Sequence, residues 1–169
     1  MDTNKKLAII TIFSIIVLVL AGLMVRHFVD EHQTNIKSSL PTTTATIGGQ
    51  QFELEVATTQ AEQNQGLSGR PSLGKNDGML FVFDAPGIQY FWMINMEFPI
   101  DLIWINGDKI VGFEQNMPTP ATLNSTSTGD LPIYTSPGLV DKVIEINSGE
   151  VASLGLKIGD TVQMNLGSY

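Results

Sequence analysis

Arg70 is a candidate for binding chemistry because of the residues on either side of it. Gly69 precedes it and Pro71 follows it, so the local backbone is fixed by two conformationally special residues. A guanidinium held in this way can bind a carboxylate or a phosphate through two parallel hydrogen bonds. The alternative is a structural salt bridge to an acidic residue such as Asp101 or Glu145. The sequence leaves both roles open.

Asn95 and Asp101 stand on either side of Pro99 in a segment that is otherwise strongly apolar. Polar groups in such a segment are either partnered inside the core or placed at the mouth of a pocket. Asp101 can therefore serve as a carboxylate base or a cation ligand. Alternatively, it orders a turn or pairs with Arg70.

Glu145 lies between Ile144 and Ile146 in a short apolar segment. If that strand has one solvated face, Glu145 points to water. If both faces are covered, Glu145 needs a partner. Asp101 and Glu145 together could form the pair of carboxyl groups that glycoside hydrolysis uses, although many other acidic pairs are equally available on paper.

Trp92 belongs to a group of aromatic residues between positions 90 and 104. Alternation along a strand sends some of these rings inward and others outward. An outward ring would make a binding platform for a peptide, a sugar or the membrane interface, and an inward ring would pack in the core.

Methionines in the same segment could suit Cu(I), because thioethers are soft ligands. Met93 and Met96 are three residues apart, so in an extended chain they point to opposite faces. Filling of the core is the favoured role for both. We expect neither a bound metal nor a cofactor.

Missing residue types exclude several reaction classes. The chain has no Cys, and its two histidines, His27 and His32, both precede position 44. Residues 44–169 therefore cannot supply a Ser-His-Asp triad, a His-ligated zinc site or a thiolate nucleophile. The formal net charge of −8 argues against nucleic-acid binding, which needs basic side chains opposite the phosphates.

Residues 7–25 form an apolar segment without a charged residue, long enough to cross a bilayer as a helix. Lys5 and Lys6 precede it, while Asp30 and Glu31 follow it, which favours a cytoplasmic N-terminus at 1–6. The alternative is a cleaved signal peptide. We predict a single-pass anchor at 7–25, a polar tether at 26–43, and an extracytoplasmic domain at 44–169.

Short strands dominate the predicted domain. Gly48-Gly49 and Asn106-Gly107 each separate two extended segments, as in β-hairpins, and Asn-Gly is typical of a type I′ turn. In the strand after Gly49, Glu53 and Glu55 alternate with apolar residues, which predicts that both acids face solvent.

One short helix is predicted between these strands. Thr59 and Glu62 form the Thr-x-x-Glu pattern of a capping box, and Gly66 or Gly69 would end the helix. The whole pattern predicts a mainly β (α+β) fold, a compact antiparallel β-barrel-like domain with one or two short helices, preceded by the transmembrane helix.

Three stretches together resemble a known family. They are Gly66–Arg70 with Gly78–Phe83, Phe91–Met96 with Pro99–Ile105, and Val143–Ile146 with Gly149 and Gly159-Asp160. In this order and spacing they resemble the DUF192 (UPF0127) family of small exported or membrane-anchored prokaryotic proteins. The resemblance covers about residues 47–165 and implies a compact β-rich fold, but no established reaction.

The leading functional hypothesis is a non-catalytic accessory module of the cell envelope. It would bind a small molecule, a peptide or a protein partner in a groove formed by Arg70, Trp92, Asn95, Asp101 and Glu145. One alternative is a carboxylate-dependent hydrolase of envelope carbohydrate. Another is a structural or interaction domain in which the same residues only stabilise the fold.

Overall fold

The computed structural model describes residues 20, 24, 40–124 and 128–167. The chain divides into two units between Ser39 and Leu40. The predicted segment 1–6, all of 7–25 except Leu20 and Met24, and most of the tether at 26–43 lie outside the described residues. Within the described part of the chain, no helix is both long and apolar enough to span a membrane.

The second unit is mainly β, as predicted. Its strands are β1 Thr42–Ile47, β2 Gln50–Ala57, β3 Asp77–Gly87, β4 Tyr90–Phe91, β5 Ile100–Asn106, β6 Lys109–Met117, β7 Tyr134–Thr135, β8 Val140–Asn147 and β9 Gln163–Met164. Its short helices are α1 Gln60–Gln65, α2 Glu150–Ser153 and a 3₁₀ turn at Thr128–Asp130. Seven strands form one sheet in the order β6-β5-β8-β3-β2-β1-β9, and β4 pairs with β7.

The sheet is mixed, so the prediction of a wholly antiparallel sheet is wrong at one pair. Strands β2 and β3 run parallel, with Glu55 opposite Met79, whereas the other pairs of the large sheet are antiparallel. The connection between β2 and β3 contains α1 and is long enough to return the chain to the same end of the sheet. A parallel pair requires such a crossover.

The sheet is curled into a half-barrel. Its edge strands are β6 and β9, and the start of β6 contacts the residues just before β9. Lys109 at the start of β6 forms a bridge with Thr161, which lies just before β9. Backbone hydrogen bonds from Val162 N to the Asp108 carbonyl and from Ile110 N to the Asp160 carbonyl, both 2.9 Å, hold this contact.

Two hairpin predictions are confirmed, with a correction in one turn. Gly48 and Gly49 both have positive φ and join β1 to β2, as a type I′ turn requires. In the second hairpin Asn106 pairs with Lys109, so the loop residues are Gly107 and Asp108. Of these two, only Gly107 has positive φ, so the turn lies one residue later than predicted and is not of type I′, which needs positive φ at both positions.

The capping box of α1 is present. The Glu62 amide donates to Thr59 Oγ1 at 3.3 Å, and the Thr59 amide donates to Glu62 Oε2 at 2.8 Å. Hydrogen bonds from the Thr59 and Thr58 amides lower the pKa of Glu62. The helix ends at Gly66, whose φ of 49° and ψ of −136° suit glycine.

Apolar residues cover both faces of the sheet. One face, inside the curl, packs Phe52, Leu54, Ile103 and Ile144 with residues from α2. The opposite face packs Met79, Leu102, Trp104 and Val143 against the segment that contains Leu67, Met93 and Met96. Strands β5 and β8 are therefore buried on both sides, and the two methionines fill the core as expected.

Candidate functional site

A row of four side chains crosses the second face of the sheet. Glu55 on β2 is opposite Met79 on β3, Met79 is opposite Glu145 on β8, and Glu145 is opposite Leu102 on β5. Because directly paired residues project to the same face, two carboxyl groups lie on this face with one methionine between them.

Arg70 pairs with the first of these carboxyl groups. Its Nη1 and Nη2 atoms donate to Glu55 Oε1 and Oε2 at 2.6 and 2.7 Å. Both side chains are partly buried, at 28% and 21% exposure. The hydrogen bonds from Arg70 to Glu55 raise the pKa of Arg70, with a further contribution from the negative charges of Glu55 and Glu145.

This pairing corrects the predicted partners of Arg70, which were Asp101 or Glu145. It also corrects the prediction for Glu55, because that side chain faces Arg70 while Glu53 is exposed to solvent. The cause is the crossover between β2 and β3, because Arg70 in that connection covers the face of the sheet that carries Glu55.

Glu145, the second carboxyl group on this face of the sheet, is buried. The residue is 5% exposed, and its buried Oε2 atom has no hydrogen-bond partner among the described residues. Burial raises the pKa of Glu145 to about 8, and the nearby positive charge of Arg70 acts in the opposite direction. At neutral pH this carboxyl group is therefore mainly protonated. Strand β8 is covered on both sides, which is the case in which the sequence predicts a partner for Glu145. Its Oε2 atom nevertheless has no such partner among the described residues.

A cavity of about 400 Å³ opens above Glu145. Its wall contains aromatic rings, amide side chains, small polar residues and one further acid. They are Thr58, Gln60, Gln63, Asn64, Gln65, Gly66, Leu67, Ser68, Phe81, Phe83, Asp84, Gln89, Tyr90, Phe91, Trp92 and Met96. A volume of this order fits a small-molecule ligand.

The aromatic wall is braced by ring contacts. The Phe91 ring meets Phe81 edge-on at 5.0 Å between centroids, and meets Trp104 edge-on at 5.6 Å. Trp104 is fully buried. By contrast, Tyr90 and Trp92 are 56% and 43% exposed. The wall thus has a rigid inner part and an outer part that is open to solvent.

Helix α1 supplies the amides on the other side of the cavity. Gln63 Nε2 donates to the Val82 carbonyl at 2.9 Å, which attaches the helix to β3. Gln60 Nε2 donates to Asn64 Oδ1, also at 2.9 Å. The amides therefore retain acceptor and donor atoms that can hydrogen-bond to a ligand.

A second cavity of about 310 Å³ adjoins the first. Trp92, Ser68, Asn64 and Gln65 line both cavities, and Asn95 lines only the second. Asn95 is exposed, has a φ of 55°, and accepts a hydrogen bond from Gly69 N at 2.8 Å through its carbonyl oxygen. The two cavities thus share four residues of their walls, Trp92 among them.

Asp101 lies apart from these groups. It is fully buried and opposite Ile146, on the face of the sheet that Glu145 does not share. Its Oδ1 accepts from Asn116 N at 2.8 Å and its Oδ2 accepts from Val151 N at 2.9 Å. Asp101 thereby fixes a positive-φ residue at the end of β6 and the first turn of α2.

The structure brings some of the predicted residues together and separates others. Glu145 and Trp92 line one cavity, Trp92 and Asn95 line the next, and Arg70 is near Glu145 but binds Glu55. Sequence reasoning missed Glu55 and the amides of α1, and it considered Tyr90 only as one of the aromatic residues between positions 90 and 104. The polar sequence of that helix, in which no residue is fully buried, was an available signal.

Metal binding has no support from clustered acids in the described residues, where no three or more His, Asp or Glu side chains converge on a common point. The two carboxyl groups of the first cavity, Asp84 and Glu145, come with no third such ligand in its lining.

Residues 43–164 match the DUF192 family, described as Uncharacterized ACR, COG1430. The chain belongs to the DUF192 family. Its described domain is similar to the crystal structure of a protein of unknown function from Novosphingobium aromaticivorans, with 31% identity and a TM-score of 0.63. That match covers 76% of this chain and 89% of the other.

The DUF192 domain is also similar to the crystal structure of a proposed transcription regulator from Sinorhizobium meliloti. The identity is 26%, the TM-score is 0.65, and the match covers 76% of this chain and 97% of the other. No protein of curated function matches the chain. Family membership therefore fixes the fold and leaves the activity to be inferred from the site.

Proposed function

We propose that this DUF192 protein is a membrane-tethered, extracytoplasmic binding module that holds a small polar ligand in the cavity above Glu145, without catalysing its conversion. The location rests on the apolar segment 7–25, with lysines before it and acids after it. The binding role rests on the geometry of the described domain.

The buried Glu145 carboxyl is the observation that carries the binding role. A buried polar atom without a partner costs free energy, and nearly all such atoms in folded proteins are satisfied. In this domain the unpartnered Oε2 belongs to a residue that lines a cavity large enough for a ligand. A ligand that hydrogen-bonds to Oε2 would remove that cost, and exposed Trp92 would cover its apolar part.

Carboxylate-dependent hydrolysis of an envelope carbohydrate is the second candidate. It is favoured by the raised pKa of Glu145, since a general acid must hold its proton near neutral pH. Asp84 is the other carboxyl group in the cavity wall. The predicted pair of Asp101 and Glu145 does not support this function, because the two project to opposite faces of the sheet.

Nucleic-acid binding is not part of this proposal, although one structural relative is described as a proposed transcription regulator. The net charge of the whole chain is −8. A DNA-binding surface depends on clustered basic side chains, and the cavity wall contains none.

The proposal can be tested by NMR on the full-length protein in detergent, with a fragment set that includes cationic, neutral and anionic compounds. The chain has two tryptophans, so the indole spectrum holds its own reference. We expect fragments to shift the Trp92 signal more than that of buried Trp104, with binding weakened at least tenfold in Trp92→Ala. If no fragment shifts Trp92 selectively, the binding function is wrong. Cleavage of envelope oligosaccharides that is lost in Glu145→Gln would instead establish the hydrolase.

The location needs a separate test. Intact cells, or spheroplasts where an outer membrane is present, would be treated with protease and probed for the domain. We expect the domain to co-sediment with membranes and to be digested without lysis. Recovery in the soluble cytoplasmic fraction would exclude the tethered location and leave the binding cavity unaffected.

A further inference from the structure

We infer that the ligand of the Glu145 cavity carries a protonated primary amine, which places its N–H groups against the Glu145 carboxyl and its alkyl stem against the aromatic wall. This inference rests on the proposed binding function and narrows it to one ligand class. It is carried by the charges, the rings and the unpartnered oxygen of the cavity.

The charges of the cavity favour a cation. Among the described residues, its wall contains the acids Asp84 and Glu145 and no Lys, Arg or His. The guanidinium of Arg70 lies near Glu145, and its two shortest hydrogen bonds go to Glu55. An anionic ligand would therefore lie against two carboxyl groups without a cation in the wall to balance them. The acidic domain as a whole also attracts cations.

The aromatic rings favour the same class. Phe81, Phe91, Tyr90 and Trp92 all line the cavity. Ring faces attract an ammonium group, and the attraction is larger where water is excluded. Aromatic rings around a carboxylate are a general means of binding an amine, because the rings also cover its methylene groups.

The unpartnered oxygen favours a ligand with N–H donors. Glu145 Oε2 is buried and lacks a hydrogen bond. An ammonium supplies three donors and a positive charge, so it satisfies this atom and also stabilises the ionised carboxylate. A neutral hydroxyl supplies one donor and two acceptor lone pairs, which suit the protonated carboxyl, but it carries no charge to stabilise the ionised form.

Proton release accompanies this binding. Glu145 is mainly protonated in the free protein at neutral pH and would ionise when the ammonium arrives, so its proton passes to water. The titratable groups that face Glu145 are Arg70 after α1, Glu55 on β2, and Asp84 and Tyr90 in the cavity wall. Its direct neighbours on β3 and β5, Met79 and Leu102, do not titrate.

Two sources could supply such an amine, a free small molecule or a lysine side chain of a peptide. The first is represented by n-butylamine with n-butanol as its uncharged counterpart. The second is represented by Nα-acetyl-lysine methylamide with its Nε-acetylated form as the counterpart. Aliphatic amines stay protonated across the range tested, because their pKa is close to that of lysine, about 10.4.

The test is calorimetric titration of the full-length protein in detergent at pH 6, 7, 8 and 9. We expect an amine to bind at least tenfold more tightly than its uncharged counterpart. Affinity should rise by up to about tenfold per pH unit until pH 8 and then level off. In buffers of different ionisation enthalpy, close to one proton should be released at pH 7. Tighter binding of n-butylamine would identify a free small molecule as the ligand, and tighter binding of Nα-acetyl-lysine methylamide would identify a lysine side chain of a peptide.

Matched variants connect the effect to Glu145. Glu145→Gln should lower amine affinity at least tenfold at pH 8 and remove the pH dependence. Glu53→Gln removes an exposed acid from β2 and should change neither the amine affinity nor its pH dependence. Proton release from the unmodified protein gives a second readout that does not depend on how a variant folds.

Three results would overturn the inference. Equal binding of n-butanol and n-butylamine, with a selective shift of Trp92, would exclude the ammonium class and leave the binding cavity in place. Amine binding without proton release would exclude Glu145 as its partner. If neither amine binds while other fragments shift the Trp92 signal, the inference of an amine ligand is also wrong. Absence of any Trp92 shift across all fragments would instead reject the proposed function itself.

Discussion

The Arg70 guanidinium forms both of its shortest hydrogen bonds with Glu55, at 2.6 and 2.7 Å. It acts on Glu145, two strands away from Glu55, through electrostatic attraction. One carboxyl group on this face therefore forms an ion pair with Arg70, while the other is buried, mainly protonated at neutral pH and part of the cavity wall. This difference between Glu55 and Glu145 defines the site.

Glu145→Gln should make the domain more stable at high pH. The pKa of Glu145 is raised from 4.5 to about 8 in the folded protein, so the folded state binds its proton more tightly than the unfolded state. Below pH 4.5 the ionisation of Glu145 does not lower the free energy of unfolding of the native domain. As the pH rises from there towards 8, this free energy falls by up to about 1.4 kcal/mol per pH unit. The variant lacks this loss, so the difference in free energy of unfolding between variant and native should grow from pH 5 to 8 in urea titrations. An unchanged difference across that range would contradict the burial of an ionisable Glu145.

Arg70→Met should raise the pKa of Glu145 above its native value. Arg70 is the nearby positive charge that counteracts the effect of burial on Glu145. The variant also leaves Glu55 without its two hydrogen bonds, so the free energy of unfolding should fall by about 1–2 kcal/mol. Carboxyl ¹³C NMR titration measures the pKa of Glu145, and urea unfolding measures the free energy of unfolding. Lys75→Met, which removes an exposed lysine, is the matched control and should change neither.

Asp101→Asn should destabilise the domain without affecting the cavity. Both carboxylate oxygens accept backbone N–H groups, from Asn116 and Val151. An asparagine replaces one acceptor with a donor, which leaves a buried N–H unsatisfied at a cost of about 1–3 kcal/mol. Ligand-induced shifts of Trp92 should stay native. Loss of ligand binding in a folded Asp101→Asn protein would restore Asp101 to the site. The exposed Asp108, changed to Asn, serves as the control.

Thr59→Ala should loosen the helix that forms the amide wall. Thr59 is the N-cap of α1 and takes part in its capping box. Loss of such a cap costs about 1 kcal/mol, and a six-residue helix has little other support of its own. Hydrogen exchange of the Gln63 and Gly66 amides, which bond to the Thr59 and Glu62 carbonyls, should accelerate. Thr59→Ser keeps the acceptor and should retain native exchange rates.

Local signals in the sequence predicted the local features of the fold. The glycine pair at 48–49 and the Thr59–Glu62 capping box depend on neighbouring residues, and both are present. The parallel pairing of β2 with β3 depends on the path of the chain between them, which no local pattern records. The prediction for Glu55 failed for the same reason, because alternation identifies the face of a strand but not what covers that face.

The sequence indicated which residue types belong to the candidate site, but it did not indicate how those residues are arranged in space. Trp92 and Glu145 were chosen for an aromatic ring and for an acid between isoleucines, and they line one cavity. Asp101 was chosen by the same reasoning, yet it faces the other side of the sheet. Whether an acid within an apolar strand has a partner depends on the strand register and on the covering segment, and both are properties of the assembled fold.

The pKa of the Glu145 carboxyl group in the ligand-free protein decides whether a buried, protonated acid forms the site. Carboxyl ¹³C NMR of glutamate-labelled full-length protein, with Glu145→Gln to assign the signal, would follow its titration from pH 4 to 9. A buried, unpartnered carboxyl group predicts a midpoint close to 8. A midpoint near the ordinary value of 4.5 would show that Glu145 is solvated or paired, and it would contradict the site described for this domain.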